Sequence, residues 1–162
     1  MVARNERFIL YTPDAEDSFG SIAQRFLGHA SRQWEIADFN DITRLSPGKT
    51  IAIPLQPTNP QGVRANGYQT VPILCYHRIG GGINRMIVST QAFEAQLDYL
   101  ARNGYRVVRL SDIADFVAGR RQLPKKAVVI TFDDGHVSAY HQAFPILKIK
   151  VDNKNPIAWG MP

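Results

Sequence analysis

The chain holds a single cysteine, Cys75, so no disulfide can close within it, and cysteine usage leaves the redox compartment open. Cys75 stands inside an apolar run, where a buried, inert thiol is expected. Long apolar runs are lacking as well: after Met1-Val2-Ala3-Arg4-Asn5-Glu6-Arg7 only Phe8-Ile9-Leu10-Tyr11 comes before polar residues resume. Four apolar residues are too few for a signal-peptide core or a membrane span, so neither a signal peptide nor a transmembrane segment is expected. The basic positions Arg120-Arg121, Lys125-Lys126, Lys148, Lys150 and Lys154 lack interleaved aromatics and read as solvated loops, so nucleic acid is not an expected partner. Charge imbalance is missing from the first part altogether. Lys and Arg against Asp and Glu count 7 and 7 over residues 1–70 but 12 and 7 over residues 71–162, which places the whole net +5 in the second part.

What is present is globular in composition, 44% hydrophobic and 20% charged over 162 residues, room for one ordinary domain or two small ones. Two small units fit the pattern better. Strand-like Arg7-Phe8-Ile9-Leu10-Tyr11-Thr12 leads to Asp17-Ser18, good helix N-cap residues, and then to Phe19, Ile22, Ala23, Phe26 and Leu27, the apolar face of a helix of about two turns. A second short helix is predicted from Ser31, with Trp34, Ile36 and Ala37 apolar. Asn40, the turn Ser46-Pro47-Gly48 and a closing strand Thr50-Ile51-Ala52-Ile53-Pro54 follow. Phe19 and Trp34 read either as core or as aromatic walls for a ligand.

The order strand, helix, helix, strand over residues 7–54, with Ser21-Ile22-Ala23-Gln24-Arg25-Phe26, Asn40 and Pro47-Gly48, resembles the LysM domain. The resemblance implies a module that binds peptidoglycan or chitin through N-acetylglucosamine. Its groove would lie between the loop at Asp17, Ser18 and Phe19 and the loop from Asp41 to Leu45. Ala15-Glu16 stands where that family usually has Pro-Gly, and Phe19 where Leu is common. Residues 55–70, rich in Pro, Gly, Asn and Gln, read as a flexible linker.

Beyond the linker, strands alternate with helices, which implies a parallel sheet. Val71 to Ile79 reads as a buried strand with Ile73, Cys75 and His77 on one face and Leu74 and Tyr76 on the other. Ser89 or Thr90 caps a helix carrying Phe93, Leu97 and Leu100, and Gly104 stops it. Tyr105 to Leu110 reads as a strand, and Ser111 as the cap of a helix with Ile113, Phe116 and Val117. The apolar run Ala127-Val128-Val129-Ile130 then closes in Thr131-Phe132-Asp133-Asp134-Gly135.

Two adjacent carboxylates at a strand end can divide their work, because alternation aims successive side chains apart and Gly135 permits a sharp turn. One can hold a metal ion that acidifies water while the other accepts the proton. Asp-Gly is also hairpin chemistry, but Val137, Tyr140, Ala143 and Phe144 recur at helical spacing, so the segment reads strand, acidic turn, helix. His77, at the end of its strand, is either a hydrogen-bonded core histidine or an active-site neighbour facing the same mouth as Asp133 and Asp134.

These pieces resemble the start of the polysaccharide deacetylases that share the NodB homology domain. They are Val71-Pro72-Ile73-Leu74-Cys75-Tyr76-His77-Arg78-Ile79, Phe93 to Leu100, Gly104-Tyr105-Arg106-Val107-Val108, Thr131 to Gly135, and Ala143-Phe144-Pro145-Ile146-Leu147. The resemblance implies an α/β chain in which residues 71–148 are the N-terminal part of a distorted (β/α) barrel, incomplete here and preceded by the LysM module. Asp133 would be the general base and Asp134 a ligand of a divalent cation, usually zinc. The reaction would be hydrolysis of acetyl groups on N-acetylated or O-acetylated glycans (peptidoglycan, chitin-like or exopolysaccharide) at the cell envelope. That family's other ligands are two histidines in a His-x-x-x-His-Pro segment, which this sequence does not contain; after Asp134 it has only His136 and His141, expected to be solvated or capping. Residues 149–162 read as an irregular tail out of frame with the family sequence. The expectation is a C-terminally truncated chain, inactive alone, whose open sheet edge favours self-association. The alternative is a non-catalytic glycan-binding protein with a vestigial deacetylase half.

Overall fold

The computed structural model describes residues 3–152. These fall into two compact units, the residues up to Tyr68 together with Asp115–Lys125, and Gln69–Ala114 together with those from Lys126 onward.

The first unit begins with β1 (Ala3–Arg4), β2 (Phe8–Tyr11) and α1 (Phe19–Leu27), followed by a 3₁₀ turn at Ala30–Arg32, α2 (Gln33–Asn40) and β3 (Ile51–Pro54). The strands form an antiparallel sheet in the order β1-β2-β3, with Ile9 opposite Ile53 and Tyr11 opposite Ile51. Period-two alternation sends Ile9, Tyr11, Ile51 and Ile53 into one core, where they meet Ile22, Ala23 and Ile36 from the helices. Burying each isoleucine contributes about 1.5–3 kcal/mol. Helix α1 starts where it does because Ser18 and Ser21 cap each other. The Ser21 N–H donates to Ser18 Oγ at 3.0 Å, and the Ser18 N–H donates to Ser21 Oγ at 2.9 Å. It ends at Gly28, whose φ of 83° closes the helix in the left-handed region.

The side chain of Asp17, beside that cap, is only 3% exposed. Its Oδ2 accepts from the Tyr11 hydroxyl at 2.6 Å and from the Asp14 N–H at 3.1 Å. The Arg25 guanidinium donates to the same tyrosine oxygen at 2.9 Å. The hydrogen bond from Tyr11, helped by the Asp14 amide and the charge of Arg25, holds the Asp17 carboxyl below its ordinary value of 3.8. A carboxyl depressed in the folded state adds stability above its unfolded pKa and withdraws it as pH falls through the folded one. The urea midpoint of the first unit is therefore expected to drop below about pH 4, and Asp17→Asn to flatten that acid limb. A variant whose acid limb matches wild type would show that Asp17 does not carry it.

Within residues 55–70, read from composition as a flexible linker, the structure places a short hairpin, β4 (Val63–Arg64) with β5 (Gly67–Tyr68). Asn59 clamps it: its Nδ2 donates to the Val63 carbonyl at 2.9 Å, and its Oδ1 accepts from the Val63 N–H at 3.1 Å. Asn and Gly favour tight turns as readily as slack chain, so composition did not separate the two. Gln122 Oε1 also accepts from the backbone N–H groups of Thr58 and Asn59, at 2.7 and 2.8 Å.

The second unit contains β6 (Ile73–Tyr76), β7 (Arg78–Ile79), β8 (Ile87–Val88), α3 (Thr90–Arg102), β9 (Arg106–Val107), the start of α4 (Leu110–Val117), β10 (Ala127–Phe132), a π turn at Ala139–Ala143 and α5 (Phe144–Asp152). Its main sheet is parallel, as the alternation of strands and helices implied, in the order β6-β10-β9. The central strand β10 buries Ala127, Val128 and Val129. One face of the sheet carries the core: Tyr76, Phe93, Leu97, Ala143 and Leu147, with Leu74, Ile130 and Phe132 packed against them.

Four expectations are corrected here. Cys75 is exposed, and β6 is not a buried strand: it is an edge strand with one packed face, so Ile73 and Cys75 face outward. The strand read over Tyr105 to Leu110 shrinks to β9, because α4 already begins at Leu110. Ser111 is not the cap of α4 but lies inside it; Arg109, just ahead of the helix, donates its N–H to Asp112 Oδ2 at 3.1 Å. Helix α5 runs on to Asp152, through the first residues of the segment expected to be irregular. The rest of that segment, 153–162, lies outside the described residues.

Candidate active site

Strands β6 and β10 run side by side with Thr131 opposite Cys75 and Phe132 opposite Tyr76, so both stop at the same end of the sheet. One residue further, the Asp133 N–H donates to the Tyr76 carbonyl at 2.8 Å, extending the ladder past β10. That bond sets Asp133 beside the end of β6, where His77 follows. Alternation puts Cys75 and His77 on the same side, and Thr131 and Asp133 likewise. The Cys75 sulfur, a His77 ring nitrogen and an Asp133 carboxylate oxygen lie within 4.8 Å of one another. His77 is half-buried, while Cys75 and Asp133 are exposed.

The Cys75 thiol donates a hydrogen bond to the Asp133 carboxylate, which raises its pKa above the ordinary 9.0. A second contact, with Thr131, pulls the other way, and the charges of Asp133 and Asp134 add to the rise. At neutral pH the thiol therefore keeps its proton. Along β6 a groove of about 490 Å³ is lined by Ile73, Leu74, Cys75, Tyr76, Gln96, Tyr99 and Leu100. The Tyr76 hydroxyl donates to Gln96 Oε1 there at 2.7 Å.

After Asp133 the chain turns abruptly. Asp134 has a φ of 63° and Gly135 of 59°, two consecutive left-handed residues of the kind that Asp tolerates and Gly adopts freely. The turn is anchored from the far side by Ser138, which is buried and accepts from the Ile79 N–H at 3.1 Å. The Asp134 side chain is 62% exposed, and its carboxylate lies 3.9 Å from His136 Nε2. His136 and His141 are both exposed.

Of the residues singled out in the sequence, the structure thus joins Asp133 to His77 and leaves Asp134 outside that group. Cys75 belongs with them although it was read as inert; its i, i+2 spacing from His77 was the available signal. A divalent cation on Asp134 does not fit the described surroundings, since a three-ligand site needs more than one distant imidazole beside the carboxylate. In the first unit, Asp17 and Ser18 spend their side chains on Tyr11, Asp14 and Ser21, and Phe19 packs half-buried on the core.

No protein-family model matches the chain. Part of it is similar to polysaccharide deacetylases. A stretch of 63 residues is 46% identical to the poly-beta-1,6-N-acetyl-D-glucosamine N-deacetylase of Escherichia coli (strain K12), covering 39% of this chain and 9% of that protein. A stretch of 78 residues is 37% identical to YxkH of Bacillus subtilis (strain 168), a protein assigned to the polysaccharide deacetylases, covering 48% of this chain and 28% of that one. Among solved structures, IcaB from Ammonifex degensii is 45% identical over 49% of this chain and 34% of its own, with a TM-score of 0.46. The matched stretches therefore span only 9% and 28% of these two curated relatives.

Proposed function

We propose that the chain belongs to a glycan deacetylase that hydrolyses acetyl groups on N-acetylglucosamine-type polymers at the cell envelope, and that residues 7–54 are a LysM module holding such a polymer. The observation that carries this reading is the placing of Asp133 next to His77 at one end of parallel strands. The 46% identity over part of the chain to an enzyme named for that reaction supports it.

In this reading Asp133, exposed to solvent, accepts a proton from the water that attacks the acetamide carbonyl. His77, half-buried beside it, orients that water or the carboxylate by hydrogen bonding. A divalent cation, zinc by resemblance, would acidify water when bound. The mismatch at Asp134 favours one second reading, a non-catalytic glycan binder with a vestigial deacetylase half.

Mass spectrometry of N-acetylglucosamine oligomers incubated with the chain separates the two. Acetyl loss that falls at least about 100-fold in Asp133→Asn would support the catalytic reading and overturn the expectation of a chain inactive alone. Retention of the oligomers without any acetyl loss would leave the binding reading alone.

A further inference from the structure

We infer that Cys75, His77 and Asp133 form a binding site for a thiophilic divalent cation, zinc-like in its preferences, with Asp134 left outside it. One sulfur, one imidazole nitrogen and one carboxylate oxygen converge within 4.8 Å, and the first and last face solvent. Three mixed protein donors with one open position are the composition of solvent-accessible zinc centres. A sulfur donor also selects zinc, cobalt or cadmium over magnesium and calcium, which demand oxygen.

Bond lengths of about 2.0–2.3 Å put tetrahedral donors roughly 3.4–3.8 Å apart, so the group has to tighten by about 1 Å to close on an ion. Rotation of the exposed Cys75 and Asp133 side chains supplies that without repacking a core. Their backbones are already held, Cys75 opposite Thr131 in the sheet and Asp133 by its N–H bond to Tyr76. On binding, the sulfur gives up the proton it shares with the Asp133 carboxylate. That proton leaves to solvent and a sulfur–metal bond takes its place.

The inference goes beyond the deacetylase reading and holds whether or not the chain cleaves acetyl groups. A cation held by Asp133 also occupies the carboxylate which that reading uses as a base, so loading this site opposes hydrolysis rather than completing it.

Cobalt(II) alone, titrated into the intact chain under a non-chelating reductant, tests the assignment by absorption. The expected result is a saturable thiolate-to-cobalt charge-transfer band that reaches its limit at one equivalent. Cys75→Ser should abolish the band, and His77→Ala and Asp133→Asn should each weaken cobalt binding at least about 10-fold. Asp134→Asn, which keeps a side chain tolerant of the left-handed turn, should bind as wild type does. Circular dichroism of each variant establishes that it is folded. Either of two results overturns the inference: no charge-transfer band in the folded wild-type chain, or a loss in Asp134→Asn as large as that in Asp133→Asn. The band reports binding without reference to acetate release, so this outcome and that of the glycan assay are read separately.

Discussion

Phe93→Ala is expected to cost the second unit about 3–5 kcal/mol, the usual loss for emptying a fully buried aromatic site. Phe93 has no exposed surface. Its ring meets Tyr76 edge-on at 5.0 Å and Phe132 at 6.0 Å, and those two rings stack on each other at 5.7 Å. Tyr76 and Phe132 are the last residues of β6 and β10, immediately before His77 and Asp133. The aromatic trio therefore fixes the two strand ends from the side opposite the polar group. Because whole domains are stable by only about 5–15 kcal/mol, this one truncation removes much of the available margin. Urea unfolding followed by circular dichroism should show the loss, with Phe93→Leu clearly milder. Hydrogen exchange at the Asp133 amide should speed up in parallel. An alanine variant within about 0.5 kcal/mol of wild type would remove Phe93 from the core.

Asn40→Ala should be the most damaging polar change in the first unit, at about 1–3 kcal/mol. Strand β3 lies at the edge of its sheet, with β2 on one side only. On the other side Asn40 takes the place of a missing strand: its Nδ2 donates to the Ala52 carbonyl at 2.6 Å, and its Oδ1 accepts from the Ala52 N–H at 2.9 Å. The same nitrogen also donates to the Ile36 carbonyl at 2.8 Å, tying the end of α2 to the strand. Alanine leaves the Ala52 donor and acceptor, both partly buried, without partners. Asn40→Asp restores only the acceptor and should fall between alanine and wild type. Faster exchange at the Ala52 amide is the local sign; protection unchanged in Asn40→Ala would contradict the bridging role.

How much of this was legible follows the range of each signal. The helix start at Ser18 and the Ser89 cap of α3 rest on a few neighbouring residues, so the sequence showed them directly. The parallel sheet followed from the alternation of strand and helix. Burial along β6 did not follow, because an apolar run reads alike in a central strand and in an edge strand with one packed face. The reading of Cys75 as buried failed on that ambiguity. The site was legible in part: Asp133 and His77 stand at strand ends, which their flanking residues reveal. Their meeting with Cys75 depends on the pairing of β6 with β10, residues more than fifty positions apart, and no local pattern sets that register. The hairpin inside residues 55–70 was hidden because its clamp is a single side chain, Asn59, in a composition that suits slack chain equally well.

The reversed twist at Asp134 and Gly135 acts as a filter on sequence before any chemistry is asked of it. At position 134 the left-handed backbone admits Asp, Asn or Gly and turns away branched and bulky side chains. At 135 a methyl group would meet nothing within 4 Å, so handedness rather than space is what excludes other residues there. An acidic residue at 134 is thus already one of few that the bend accepts. The adjacent pair of aspartates combines one residue restricted by the handedness of the bend with one, Asp133, that lies outside the left-handed region, so the backbone does not place the same restriction on its side chain.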